Sequence, residues 1–207
     1  GTVQFSEAGF SLSGTQARLL GGPVRIEGGM RPTPGAATNE SALQLRAQGQ
    51  ITAEGLRQAK EISPLNAWAQ HATGATSYSA QLGWRQGQPE FTLQSQLEGL
   101  ALKLPAPLGK AANVSMPVTL RTRVQGSGAT LRDQLQLEWG TVASALYVRD
   151  LSGPEAVVLR GSLTLGLPAS QAPVLPATGV SATRLERARH LPKPNDGPAT
   201  GRQPGLP

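Results

Sequence analysis

Leu-Glu-Gly-Leu-Ala-Leu-Lys-Leu-Pro-Ala-Pro-Leu-Gly-Lys, residues Leu97–Lys110, holds in one short run the pattern that governs the whole chain. Leu100, Leu102 and Leu104 alternate with Ala101 and Lys103, which is the period of a strand with one apolar face. Pro105 and Pro107 stop that strand, because proline has no N–H for the ladder and keeps the preceding residue extended. Gly109 and Lys110 complete a turn. With strands predicted on both sides, the run reads as a corner between two β-rich blocks.

Upstream, Tyr78, Ala80, Leu82 and Trp84 face one way while Ser77, Ser79 and Gln81 face the other. Gln86-Gly87-Gln88 turns the chain, and Phe91, Leu93 and Leu97 return it opposite Thr92, Gln94 and Gln96. Downstream, Val118, Leu120 and Val124 alternate with Thr119, Arg121 and Arg123. Leu135, Leu137 and Trp139 alternate with Gln134, Gln136 and Glu138, and Val142–Val148 follows. Val157, Leu159, Leu163 and Leu165 then share a face against Val158, Arg160, Ser162 and Thr164. Near the start, Val3–Phe5 and Phe10–Leu12 flank a turn at Glu7-Ala8-Gly9. Gly21-Gly22-Pro23 breaks the pattern before Val24, Ile26 and Met30 resume it. Leu43, Leu45 and Ala47 form a further half-buried strand.

Residues 52–74 change period. Thr52 caps a short helix running to Lys60, weakened by Gly55. Ser63 followed by Pro64 starts a second, with Leu65, Trp68 and Ala72 on one side and Gly74 at its end. The expectation is a mainly β, largely antiparallel sheet with one or two short helices. Residues 1–170 form the β-rich unit, with a helical insert at about 52–74. Residues 171–207 are a Pro/Gly-rich basic tail expected to be disordered, apart from Val180–Arg189 as a strand fragment or short helix. Nine or ten such strands, each about five residues long and spaced about 4.8 Å, carry an apolar face on the order of 700 Å². Soluble proteins leave only a few hundred Å² bare, so a second sheet, a helix, a partner or an apolar ligand must cover it.

Composition removes several functional classes. Of the net charge of +6, half lies in residues 181–207, so the body is nearly neutral and shows no basic stripe with interleaved aromatics. That argues against nucleic acid as a partner. Cysteine is absent, and the two histidines, His71 and His190, lie far apart, so no metal site or cofactor is implied. Gly126-Ser127-Gly128 and Gly161-Ser162-Leu163 lack the spacing of a nucleophile elbow. Gly109-Lys110 lacks the upstream glycine of a phosphate loop and is followed by Ala111. The acids are scattered singly, and no general acid–base pair emerges, so the chain does not read as an enzyme. No run reaches the 18–20 or so apolar residues of a membrane helix. The start, Gly-Thr-Val-Gln-Phe, enters a strand pattern at once and reads as part of a longer polypeptide.

The run Gly99–Lys110 resembles the AsmA-like superfamily of Gram-negative envelope proteins, in its YhdP-type branch. The strand Tyr78–Trp84, the helical text Ala53–Arg57, and Leu-Leu-Gly-Gly-Pro-Val-Arg-Ile at Leu19–Ile26 carry the same likeness. It covers roughly residues 1–170 and is densest between 42 and 122. Lys103 departs from the acidic residue that branch would have there, and the basic tail after Pro168 departs altogether.

The resemblance implies a curved sheet forming a groove, or taco-like trough, in a periplasmic protein anchored to the inner membrane by a segment outside this sequence. It also implies that the groove shields phospholipid acyl chains between inner and outer membranes. The remainder of the parent polypeptide and the membranes at its ends would be its other partners. The residues expected to line the groove are Tyr78, Leu82, Trp84, Phe91, Leu93, Leu97, Leu100, Leu102, Leu104, Val118, Leu120, Leu135, Leu137, Leu159, Leu163 and Leu165. The same residues suit the core of a structural or interaction β-sandwich that binds no lipid. Whether the chain's own residues cover the apolar face decides between the two. A hydrolase of envelope polymers would need a site that the sequence does not display.

Overall fold

A computed structural model describes residues 1–7, 9–32, 41–59, 69–85, 88–154, 156–166 and 175–184. These residues form twelve strands: β1 (Thr2–Ser6), β2 (Gly9–Leu19), β3 (Gly21–Pro32), β4 (Ser41–Thr52), β5 (Ala72–Arg85), β6 (Gln88–Ser95), β7 (Leu100–Leu102), β8 (Val118–Gln125), β9 (Arg132–Trp139), β10 (Ala143–Asp150), β11 (Val157–Leu165) and β12 (Gly179–Arg184). One helix, α1 (Ala53–Gln58), and one 3-10 turn, Gly128–Thr130, complete the described elements.

The strands build one large open sheet. Its order follows the chain from β1 to β6 and then from β8 to β12, with β7 paired to β5 off that path. Pairing is antiparallel throughout except between β11 and β12. Short connections at β1–β2, β2–β3, β5–β6, β8–β9, β9–β10 and β10–β11 produce neighbour-to-neighbour pairing there, while longer excursions return the chain beside β4 and β6. At β2–β3, Leu20 and Gly21 both have positive φ, 52° and 80°, and join the paired residues Leu19 and Gly22 in a two-residue hairpin. The break expected at Gly21-Gly22-Pro23 is thus the turn at Leu20-Gly21; Gly22 and Pro23 already pair within β3, Pro23 opposite Arg18.

Several expectations are corrected. Leu97–Lys110 is no corner between separate blocks, since β6 and β8, on either side of it, are directly paired. It belongs to an excursion that leaves the sheet after β6 and rejoins it at β8. Ala72 and Gly74, expected in a helix and at its end, belong to β5. The capping signal at Ser63-Pro64, with Leu65 and Trp68, lies outside the described residues. In β11 a bulge opposite Val148 and Arg149 changes the parity, so Val157 pairs with Asp150 and no longer shares a face with Leu163. Of the two alternatives for Val180–Arg189, the described part is a strand: Gly179–Arg184 pairs in parallel with β11 as the last strand of the sheet.

α1 follows the sequence signal at its start. Thr52 is extended, and its hydroxyl accepts the Gly55 N–H at 2.9 Å. Gly55 lowers helix propensity, but a Cβ there would lie 2.0 Å from the Leu20 carbonyl carbon and oxygen. Glycine lets the helix press against the β2–β3 turn. Gly55→Ala should therefore lose about 1–3 kcal/mol through overpacking, although propensity alone favours it by about 1 kcal/mol. Urea unfolding midpoints measure the sign.

Candidate functional site

Apart from bulges in β2, β3 and β11, registers across the sheet keep one parity, so the apolar residues form continuous rows. One row crosses ten strands: Thr15, Ile26, Ala47, Ala80, Leu93, Leu120, Leu137, Ala145, Leu163 and Ala182. A second runs through Val3, Leu12, Gly28, Leu45, Leu82, Phe91, Thr122, Leu135, Tyr147, Gly161 and Val180. A third joins Ala17, Val24, Gly49, Tyr78, Ser95, Val118, Trp139, Ala143 and Leu165. With strands about 4.8 Å apart, the face is about 50 Å wide.

Most of it is not sealed. Leu82, Phe91, Leu93, Val118, Leu120, Leu135, Leu137, Leu163 and Leu165 are half-buried, as is Leu159 at the β11 bulge. Trp84 is 45% exposed and Phe5 83%. A core between two packed sheets would bury such residues. Instead they shield one another within a single layer. Tyr78 is buried: its ring lies against Gly49, its partner across β4–β5, and burial raises its pKa. Tyr147 covers Gly161 in the same manner.

One end of the face is closed. Ala53 of α1, Ala72 of β5, Leu100 and Leu102 of β7, Trp139 of β9 and Ala143 of β10 form a buried cluster. Leu97, Leu104, Leu108, Met116, Val118, Val142 and Leu165 pack around it. Leu97, Leu100, Leu102 and Leu104 were expected to line a groove; Leu100 and Leu102, 3% and 7% exposed, are instead buried within this end cap, and the other two pack on it.

The cap is held by polar atoms of the excursion. The Ser95 hydroxyl donates to the Ser77 carbonyl at 2.8 Å and accepts the Leu97 N–H at 3.0 Å. Leu97 takes a positive φ of 48°, and Gly99 one of 89°, turning the chain out of β6 and into β7. Leu102 and Lys110 exchange backbone hydrogen bonds of 2.9 and 3.0 Å across the proline corner, whose Ala106–Pro107 peptide is cis. Lys110 is 9% exposed, and its Nζ donates to the carbonyls of Leu97 at 2.7 Å and Leu100 at 2.5 Å. Burial lowers its pKa; nearby Glu98 acts in the opposite direction.

The other side of the sheet is polar across β1–β9; at β10–β11 it carries Leu146 and Val148, and Ser144, Ser162 and Thr164 are buried there. Arg123 donates to Glu90, its cross-strand partner, at 2.8 Å, and Arg121 lies 3.4 Å from Glu138. A groove of about 950 Å³ is lined by Gln16, Arg18, Arg25, Gln48, Gln50, Ser77 and Ser79 of this side, together with Ala17, Pro23, Val24, Gly49 and Tyr78. A smaller one of about 150 Å³ lies among Glu90, Thr92, Arg121, Arg123, Gln134 and Gln136. The charged and amide side chains of the smaller groove suit water or polar partners.

Some residues on the apolar face were not singled out from the sequence. Asp133 has the parity of Leu135, Leu137 and Trp139, and Arg149 that of Ala143, Ala145 and Tyr147. The signal was present, as a charge closing each of two apolar stripes. Arg149 Nε donates to Asp133 at 2.9 Å and Arg149 Nη2 to its second oxygen, and this pairing raises the arginine pKa.

Fold and face together define an open, one-sheet β protein whose apolar side, among the described residues, is capped at one end and half-exposed over much of its area. A family model described as YhdP protein matches residues 1–187. The chain belongs to the YhdP family. That membership is consistent with a lipid-transport-type protein of the bacterial envelope, and the family is not a known enzyme family. No curated protein and no solved structure matches the chain.

Cap and open face should respond differently to truncation. Leu102→Ala is expected to cost about 2–5 kcal/mol, as for a fully buried leucine. Leu137→Ala should cost about 1 kcal/mol, since a half-buried side chain hides about half the area. Lys110→Met leaves two carbonyls without their donor and should cost about 1–3 kcal/mol. Chemical denaturation of the three variants checks the ranking.

Proposed function

We propose that this chain shields lipid acyl chains from water along the apolar face of its sheet. On this reading it is the periplasmic part of an AsmA-like lipid-transfer protein held at the inner membrane, and its ligands are phospholipids on their way between the two envelope membranes. The observation that carries the reading is the half-exposed apolar face, continuous from β1 to β12, in a chain of the YhdP family. Exposing an acyl chain of about sixteen carbons to water costs on the order of 13 kcal/mol, at about 0.8 kcal/mol per methylene. Rows such as Leu93–Leu120–Leu137 replace that water with side-chain contacts while a head group stays wet. Among the described residues there is no second sheet packed over the face, which favours the lipid reading over a closed sandwich.

Native mass spectrometry of the purified chain, with lipid extraction, tests this. Phospholipid should be retained by the wild type and lost from the double variant Leu93→Glu, Leu120→Arg, which places a cross-strand ion pair in the centre of the face. The circular dichroism spectrum of the variant should remain that of the folded sheet. A wild type without lipid, or a variant that unfolds because charge has entered a closed core, contradicts the proposal.

A further inference from the structure

The Asp133–Arg149 pair lies on the apolar face at the end opposite the cap. The two are cross-strand partners in β9 and β10, and the next residues along that face in these strands are Leu135 and Tyr147. The Asp133 side chain is 4% exposed and that of Arg149 28%. A guanidinium has five N–H groups in a fixed fork, and Asp133 takes two of them. The remaining donors belong to a partly exposed cation beside hydrocarbon-like surface. Replacing a buried ion pair by apolar residues of the same shape is often neutral or stabilising, so stability alone does not account for a pair at this position.

We infer that Arg149 is the head-group contact of the lipid face. A phosphodiester oxygen of a phospholipid accepts from the N–H groups that Asp133 leaves, and the acyl chains run along β8–β10 toward the cap. The inference rests on the reading that acyl chains occupy this face. Charge complementarity selects the occupant, because a guanidinium fork matches phosphate and offers nothing comparable to an uncharged lipid. Length agrees as well. From Asp133 to Trp139 the strand runs six residues, about 20 Å. One acyl chain spans half of a bilayer core about 30 Å thick, so it fits that run. Asp133 keeps the guanidinium in place while the site is empty.

Two experiments on the full chain test the assignment. In the first, protein is equilibrated with vesicles holding equal amounts of a phosphatidylglycerol and a diacylglycerol with the same acyl chains. Arg149→Gln combined with Asp133→Asn replaces the ion pair by a neutral amide pair and leaves no lone buried charge. The ratio of bound phospholipid to bound diacylglycerol should fall about tenfold relative to wild type, the worth of a charge-assisted contact. An unchanged ratio in the folded variant overturns the inference. The second keeps Arg149 and so does not depend on the double variant folding. With Trp68→Phe and Trp84→Phe, Trp139 is the remaining tryptophan. Phosphatidylcholine labelled with doxyl at carbon 16 should quench it more strongly than the same lipid labelled at carbon 5. Equal or reversed quenching by bound lipid overturns the orientation and leaves the lipid reading standing. Failure of the wild type to bind any of these lipids removes that reading itself.

Discussion

A strand can hide only one of its faces against its own sheet's cover, and here eleven neighbouring strands hold the same face to the same side. A register slip of one residue anywhere would send a strand's leucines among the glutamines and arginines of the opposite face. The observed pairings avoid this from Val3 to Val180, and the three bulges, in β2 after Leu12, in β3 after Gly21 and in β11 at Leu159, leave the same face apolar on the strands between them. The sheet is therefore specified by its pattern, while the pattern leaves a wide apolar surface unresolved. Both the cap and the proposed ligand answer that surface.

The cap shows how the chain seals part of it. β6 would continue straight past Ser95, but Leu97 and Gly99 bend the chain into left-handed backbone, and β7 then closes over the sheet end. Leu97 carries a side chain in a region that glycine prefers, at a cost of order 1 kcal/mol or more. The Ser95 hydroxyl on its N–H and the Lys110 ammonium on its carbonyl hold it there. Leu100 and Leu102 then reach Trp139 and Ala143 on the far side of β8. Away from the cap, the rows through Leu120 and Leu135 have no comparable cover among the described residues and are half-exposed.

Much of the fold was legible in the sequence, because period-two alternation is a local signal that tertiary packing here reinforces. Leu43–Ala47, Tyr78–Trp84, Val118–Val124 and Leu135–Trp139 all lie in strands with the faces the alternation assigned. The destination of Leu97–Lys110 was not legible. Alternation says that Leu100 and Leu102 share a face, but not that β8 pairs with β6 behind them and turns that face into a lid. The bulge at Leu159 also has no local signature, since Val157 and Leu159 continue the alternation without a break in sequence. Asp133 and Arg149 were missed for a different reason. Each is a single charge at the end of an apolar stripe, and only the β9–β10 register shows that they meet.

On the lipid reading, the face of β9 through Leu137 is open to hydrocarbon while the face through Gln136 is not. The chain has no cysteine, so Leu137→Cys and Gln136→Cys each provide one attachment point, on opposite faces of β9. Each variant is labelled with acrylodan and titrated with phospholipid. The account predicts a saturable blue shift for the label at residue 137 and none at 136. No shift at 137, or equal shifts at both positions, would contradict it.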